Sequence, residues 1–125
     1  MDHEKLTIKA QEALNEASAI AQRGDHSQIE VEHMLLAMLR QQDGIVPPLV
    51  EKIGADLALL SNSVEALTEK QPKIYGEAAQ LYFSSAASKI LAKAENEAAS
   101  LKDEFVSTEH LLIATASRVL TSQAV

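Results

Sequence analysis

The sequence predicts an all-α domain, a pseudo-twofold duplicated helical repeat of about six to eight helices. Three observations predict it. Apolar residues recur at steps of three and four along almost the whole chain, as one buried face of a helix requires. Glycine and proline fall between those periodic segments or at their ends. The chain also matches itself when shifted by 77 residues, so that Ala10 falls on Ala87 and Leu14 on Leu91.

The first segment carries Leu6, Ala10, Ala13, Leu14, Ala17 and Ile20 on one face. Thr7 is placed to cap its start, and Gly24 to end it in the left-handed conformation. A second helix turns Val31, Met34, Leu35, Met38 and Leu39 inward, and Asp43-Gly44 makes the turn after it. Pro47 and Pro48 sit in the first turn of a third helix, where proline is tolerated. That helix is expected to bury Val46, Leu49, Val50 and Ile53, and Gly54 closes it. Asp56 caps a fourth helix with Leu57, Leu60, Val64 and Leu67 inward. Pro72 disfavours helix at the residue before it, which ends the fourth helix near Lys70-Gln71. A loop through Gly76 to about Leu81 follows. Phe83, Ala87, Ile90, Leu91, Ala94, Ala98 and Leu101 line a fifth helix capped by Ser84 or Ser85. A sixth starts near Ser107 and carries Leu111, Leu112 and Thr115.

The self-match extends through both helices of the unit. Ala17 meets Ala94, Ala21 meets Ala98, Glu32-His33 meets Glu109-His110, Leu35 meets Leu112 and Ala37 meets Ala114. The cap positions Thr7 and Ser84 agree in type. Several of these identities keep the helical phase. They imply two helical units packed pseudo-symmetrically, with a cleft expected where they meet. The chain therefore reads as one domain over residues 1–125, with repeat one at about 5–70, a loop at 71–82 and repeat two at about 83–118.

Composition narrows the function. With 18 acidic against 11 basic residues the formal net charge is −7, and no stretch is a basic patch. Neither nucleic acid nor an anionic membrane surface is an expected partner. The longest strongly apolar run, Met34 to Leu39, is far too short to span a bilayer. No apolar stretch follows Asp2-His3-Glu4-Lys5, as a secretory signal would require, so a cytoplasmic location is expected. Cysteine is absent, which removes disulfides, a thiol nucleophile and thiolate metal ligands.

Catalytic patterns are missing. There is no Gly-x-x-x-x-Gly-Lys-Ser/Thr phosphate loop. His33 and His110 follow Glu32 and Glu109, but neither has the second histidine that His-Glu-x-x-His would supply. Hydrogen bonding at a helix start is the simpler role for both. The serines lack a nucleophile-elbow context. Thr7 reads first as a helix cap worth about 1 kcal/mol. Asp103 reads as a turn former between the last two helices. Glu109 reads as a carboxylate at the positive end of a helix, as does its repeat mate Glu32.

Leu6 to Leu14, Ile29 to Leu39 and Lys102 to Leu112 resemble the repeats of the N-terminal domain of Clp ATPases, and together they cover roughly Lys5 to Arg118. Asp25-His26-Ser27-Gln28 and Asp103-Glu104-Phe105 stand where ClpC-type domains carry Gly-His-Asn-Tyr, which favours the ClpB-type disaggregase. Thr115-Ala116-Ser117 departs from the leucines that usually continue the sixth helix.

The resemblance implies a module that engages unfolded or aggregated polypeptide for threading by hexameric ATPase rings, which this chain lacks. The module itself would be monomeric, non-enzymatic and free of cofactor, with ATP needed only by the full-length homohexamer. The resemblance also places Thr7, Asp103 and Glu109, with the adjacent His110, on the substrate-binding surface. An adaptor-docking domain of the ClpA/ClpC type is the alternative it allows.

Overall fold

The computed structural model describes residues 3–74 and 81–123, and side chains as far as residue 117. The middle of the expected 71–82 loop, with Gly76, lies outside the described residues. After a 3-10 turn at His3–Lys5 come α1 (Ile8–Arg23), α2 (Val31–Leu39), α3 (Val46–Lys52), α4 (Leu57–Glu69), α5 (Ser85–Ser100) and α6 (Thr108–Gln123). The described residues contain no strand, only isolated bridges.

The helices begin where the sequence supplies acceptors for their unpaired N–H groups. The Thr7 and Ser84 hydroxyls each accept from the third residue on, Ala10 and Ala87, at 3.1 Å. The Asp56 carboxylate does the same for Leu59. In α2 and α6 the capping side chain is a histidine. Nδ1 of His33 accepts from the Glu30 N–H, and Nδ1 of His110 from the Ser107 N–H, both at 2.8 Å.

The duplication is carried into three dimensions. Helices α1 and α5 have the same length and sit one repeat apart, residue for residue. Two bridges, Leu6 with Val106 and Ile29 with Phe83, exchange under the same 77-residue shift. Each joins the lead-in of one repeat to the interhelical loop of the other. Their backbone bonds match as well: Thr7 N–H donates to Val106 O and Ser84 N–H to Ile29 O, both at 2.9 Å. The repeats thus clasp each other reciprocally, as a pseudo-twofold axis demands.

The core forms around α2, which packs against α1, α3, α4, α5 and α6. Met34, Leu36, Ala37, Met38 and Leu39 are all buried, so this helix is apolar nearly all round. Ala10, Ala17, Ala87 and Ala94 are fully buried, and their small side chains let the helices approach closely.

Four expectations need correction. Gly24 has φ −88, and the left-handed residue is Asp25 (φ 56), as Lys102 is in repeat two (φ 59). Glycine is required at 24 by crowding, since a Cβ there would lie 2.4 Å from the His26 ring. In α3, Val46 and Val50 are buried one turn apart while Leu49 and Ile53 face out. In α4 the inward set is Leu57, Ser61, Val64 and Thr68, leaving Leu60 and Leu67 exposed. The Thr68 hydroxyl can be buried because it donates to Glu65 O at 2.6 Å. Leu101 lies just past α5 and is exposed. Helix α6 is described to Gln123.

Candidate binding site at the α5–α6 connection

The connection between α5 and α6 is built by a tight reversal. Lys102 in the left-handed region turns the chain, and the Asp103 N–H returns to Ala98 O at 2.9 Å. Val106 is then pinned by its N–H to Lys5 O at 2.7 Å. Ser107 leads into α6, and its hydroxyl lies 3.0 Å from His110 Nδ1.

Asp103 and His110 are held together by this turn. His110 is buried, and its Nε2 lies 2.8 Å from Oδ2 of the half-exposed Asp103. Because Nδ1 accepts the Ser107 N–H, the proton of the neutral ring sits on Nε2 and is donated to Asp103. The pair locks the loop onto the first turn of α6.

Around the pair lies a hollow of about 430 Å³, lined by Leu101, Asp103, Glu104, Phe105, Ser107, Glu109, His110 and Ile113. Three of these are large apolar side chains left open to solvent: Leu101 at 59%, Phe105 at 46% and Ile113 at 44%. Their combination with three carboxylates gives an adhesive floor with an acidic edge.

Of the four residues picked from sequence, Asp103, Glu109 and His110 come together in this hollow. Thr7 is attached to the same connection by its N–H bond to Val106 O, but it does not line the hollow. Its hydroxyl is occupied in capping α1. The apolar residues Leu101, Phe105 and Ile113 were not among those picked. A signal existed for Ile113, since Leu111-Leu112-Ile113 is too wide for one buried face.

The expected cleft between the repeats is a separate groove of about 390 Å³ between α1 and α5. Repeat-related pairs line it, Leu6 with Phe83 and Leu14 with Leu91, together with Ile29 and Leu81. Asp103, Glu109 and His110 do not edge this groove. A third and wider hollow lies among α1, α2 and α4. Its charges are largely paired with one another, as in Arg23–Glu16 at 3.3 Å and Arg40–Glu65 at 2.8 Å. The hydrogen bond from Arg40 holds the Glu65 carboxyl below the usual carboxylate range.

In repeat one the place of Asp103 is taken by His26, whose ring lies 4.9 Å from that of His33. His33 is pushed down to about 4, first by burial and second by the neighbouring His26, with Glu30 acting in the opposite sense. Among the described residues no group of three or more His, Cys, Asp or Glu is placed to hold a metal ion. No described helix is long and apolar enough to cross a membrane.

Comparison with known proteins agrees with this architecture. A family model, the Clp repeat (R) N-terminal domain, matches residues 5–123. Chaperone protein ClpB of Bacillus cereus is 36% identical over 117 residues, covering 91% of this chain and 14% of that protein. ClpB of Propionibacterium freudenreichii is 41% identical over 117 residues, covering 93% of this chain and 14% of that protein. The chain thus spans only 14% of the length of these relatives. Among solved structures, the Hsp104 N-terminal domain from Candida albicans aligns with TM-score 0.82 at 24% identity, over 89% of this chain and 73% of that one. The N-domain of ClpV from Vibrio cholerae aligns with TM-score 0.80 at 16% identity, over 93% and 69%. With the family model matching residues 5–123 of the 125 and the fold shared with these N-domains, the chain belongs to the Clp repeat N-terminal domain family.

Proposed function

We propose that this domain is the polypeptide-engaging N-terminal module of a ClpB-type disaggregase. It holds exposed apolar segments of unfolded or aggregated protein for ATPase rings that lie outside this chain. The domain itself binds and does not hydrolyse; ATP and the homohexamer belong to the full-length protein, acting in the cytoplasm.

The observation that carries this reading is the hollow at the α5–α6 connection, where open apolar side chains meet a polar edge containing Asp103, Glu109 and His110. Thr7 adjoins the same connection through its backbone bond to Val106. Two further facts support the reading. The relatives that match are named chaperones. A ClpV N-domain of this fold has been solved in complex with a VipB peptide. Affinity is expected to be weaker than about 1 µM, because an unfolded client loses conformational freedom when it binds.

The same ClpV complex, with one defined peptide, favours a second reading, docking of a particular adaptor. Pull-down with folded adaptors beside denatured proteins separates the two. The test of the main reading is an NMR titration with a permanently unfolded polypeptide. Shifts should concentrate at Thr7 and over Asp103 to His110. No shifts there, or shifts on the opposite face alone, reject it.

A further inference from the structure

We infer that the α5–α6 connection takes its polypeptide as an extended strand, paired antiparallel to Lys102–Glu104 with a side-chain amide set on Glu109. This rests on the reading of the domain as polypeptide-binding and adds the conformation and backbone register of the bound segment.

The repeat-one counterpart of this connection is already occupied, and the occupant belongs to the chain itself. After α4, Gln71 to Ile74 run as a strap along the α1–α2 loop. His26 and Lys73 form an antiparallel bridge. Ser27 N–H donates to Pro72 O at 3.2 Å, and Ile74 N–H donates to Asp25 O at 2.8 Å. These bonds flank the bridge on both sides, the pattern of a non-hydrogen-bonded pair in an antiparallel ladder. The Gln71 side chain adds a third contact, its amide donating to Glu32 Oε2 at 2.8 Å.

The 77-residue shift carries each receiving group to the α5–α6 connection. Asp25 O corresponds to Lys102 O, the Ser27 N–H to the Glu104 N–H, and Glu32 to Glu109. The two loops share their backbone course. Asp25 and Lys102 have φ 56 and φ 59. The His26 and Asp103 N–H groups return to Ala21 O and Ala98 O, each at 2.9 Å. In repeat two, however, the receiving groups stand open. Among the described residues nothing bonds to Lys102 O, to the Glu104 N–H or to the Glu109 carboxylate, and all three residues are exposed. A strand edge with an unpaired acceptor and donor is a template for another chain. The strap defines what fits it. The segment presents a side-chain amide, then a C=O on the next residue, then an N–H two residues later, with the intervening residue opposite Asp103.

The test titrates the isotope-labelled 125-residue chain with the strap's own sequence, beside a permanently unfolded polypeptide. The strap peptide is Glu-Lys-Gln-Pro-Lys-Ile, residues 69–74, blocked at both ends. It is expected to move the Glu104 amide proton downfield and to slow its exchange with solvent. Methylating the peptide nitrogen of its Ile removes the donor to Lys102 O and should weaken binding about 10-fold. Methylating the nitrogen of the preceding Lys, whose N–H points away from the connection, should change affinity little. Neither methylation alters charge. Glu109→Ala should weaken the strap peptide but leave the affinity of its Gln→Ala version unchanged, because the lost contact is the same one. Peptide binding that leaves Glu104 unmoved, or equal effects of the two methylations, overturns the inference. So does a strap peptide that fails to bind while the unfolded polypeptide shifts Asp103 to His110, and polypeptide binding then stands. Failure of both ligands to bind overturns the inference and the reading beneath it.

Discussion

His110 Nε2 stands 2.8 Å from Asp103 Oδ2, and the same two positions one repeat earlier hold two histidines, His33 and His26, with rings 4.9 Å apart. A single pseudo-symmetric turn has thus been given two electrostatic characters. In repeat two the buried imidazole donates a hydrogen bond to a carboxylate that reaches solvent. In repeat one both rings are buried, and Nε2 of His33 and Nδ1 of His26 find no hydrogen-bond partner. The acidic hollow develops on the first of these turns.

Removing Asp103 should therefore loosen the α5–α6 connection. Asp103→Ala leaves the buried Nε2–H of His110 without its acceptor. Because the carboxylate side is half open to water, the cost falls at the low end for an orphaned donor, about 1 kcal/mol. Thermal unfolding should show a drop of about 5 °C for a domain of this size. Asp103→Asn keeps an acceptor oxygen and should lose less. Equal melting of Asp103→Ala and the native chain would show that the pair does not hold the turn.

Acid should weaken repeat one through His33. Its folded value of about 4 lies below the ordinary histidine value of 6.5. The unfolded chain consequently takes up this proton at higher pH than the folded one. Stability from neutral His33 is complete above about 6.5 and is lost as pH falls towards about 4, by about 3 kcal/mol in all. Urea midpoints from pH 7.5 to 4 measure it against His33→Asn. The two stability curves should converge as pH falls; parallel curves contradict the assignment.

The two repeat-related caps separate folding from binding. Thr7→Ala and Ser84→Ala each remove a side-chain acceptor from the first turn of a long helix. Each should cost about 1 kcal/mol. Thr7 adjoins the α5–α6 connection through Val106, whereas Ser84 adjoins Ile29 on the other side of the pseudo-axis. Only Thr7→Ala should also weaken binding of an unfolded polypeptide, as read by titration of both variants. Equal loss of affinity in the two would assign Thr7 to capping alone.

The orientation of α4 is open to the same kind of check. Val64→Ala should cost about 1–3 kcal/mol, because Val64 is buried against α2. Leu59→Gln should fall within about 0.5 kcal/mol of the native chain, because Leu59 is largely exposed. Denaturant midpoints decide it, and a loss in Leu59→Gln as large as that in Val64→Ala would contradict this orientation of α4.

That last pair marks where the sequence was legible and where it was not. Helices α1 and α5 could be read because each has a hydroxyl cap, an alanine-rich face of constant phase and a partner one repeat away. The phase of α4 is half legible: Leu57 and Val64 face inward as the period predicts, but Ser61 and Thr68 take the places expected of Leu60 and Leu67. A threonine can be buried there only because its hydroxyl returns to the helix backbone, which composition does not announce. Asp103, Glu109 and His110 were suggested as candidates by the family resemblance, and the turn brings them into one hollow. Leu101, Phe105 and Ile113 were not, since their meeting depends on the left-handed turn at Lys102 and on the pinning of Val106 to Lys5.

The most direct measurement is the affinity of the domain for a permanently unfolded polypeptide, with Phe105→Ser beside the native chain. Phe105 is exposed and lies outside the core, so the variant should melt with the native domain. Binding at the α5–α6 hollow predicts that its affinity falls by about 10-fold or more. Undiminished affinity in Phe105→Ser would place client binding elsewhere on the domain.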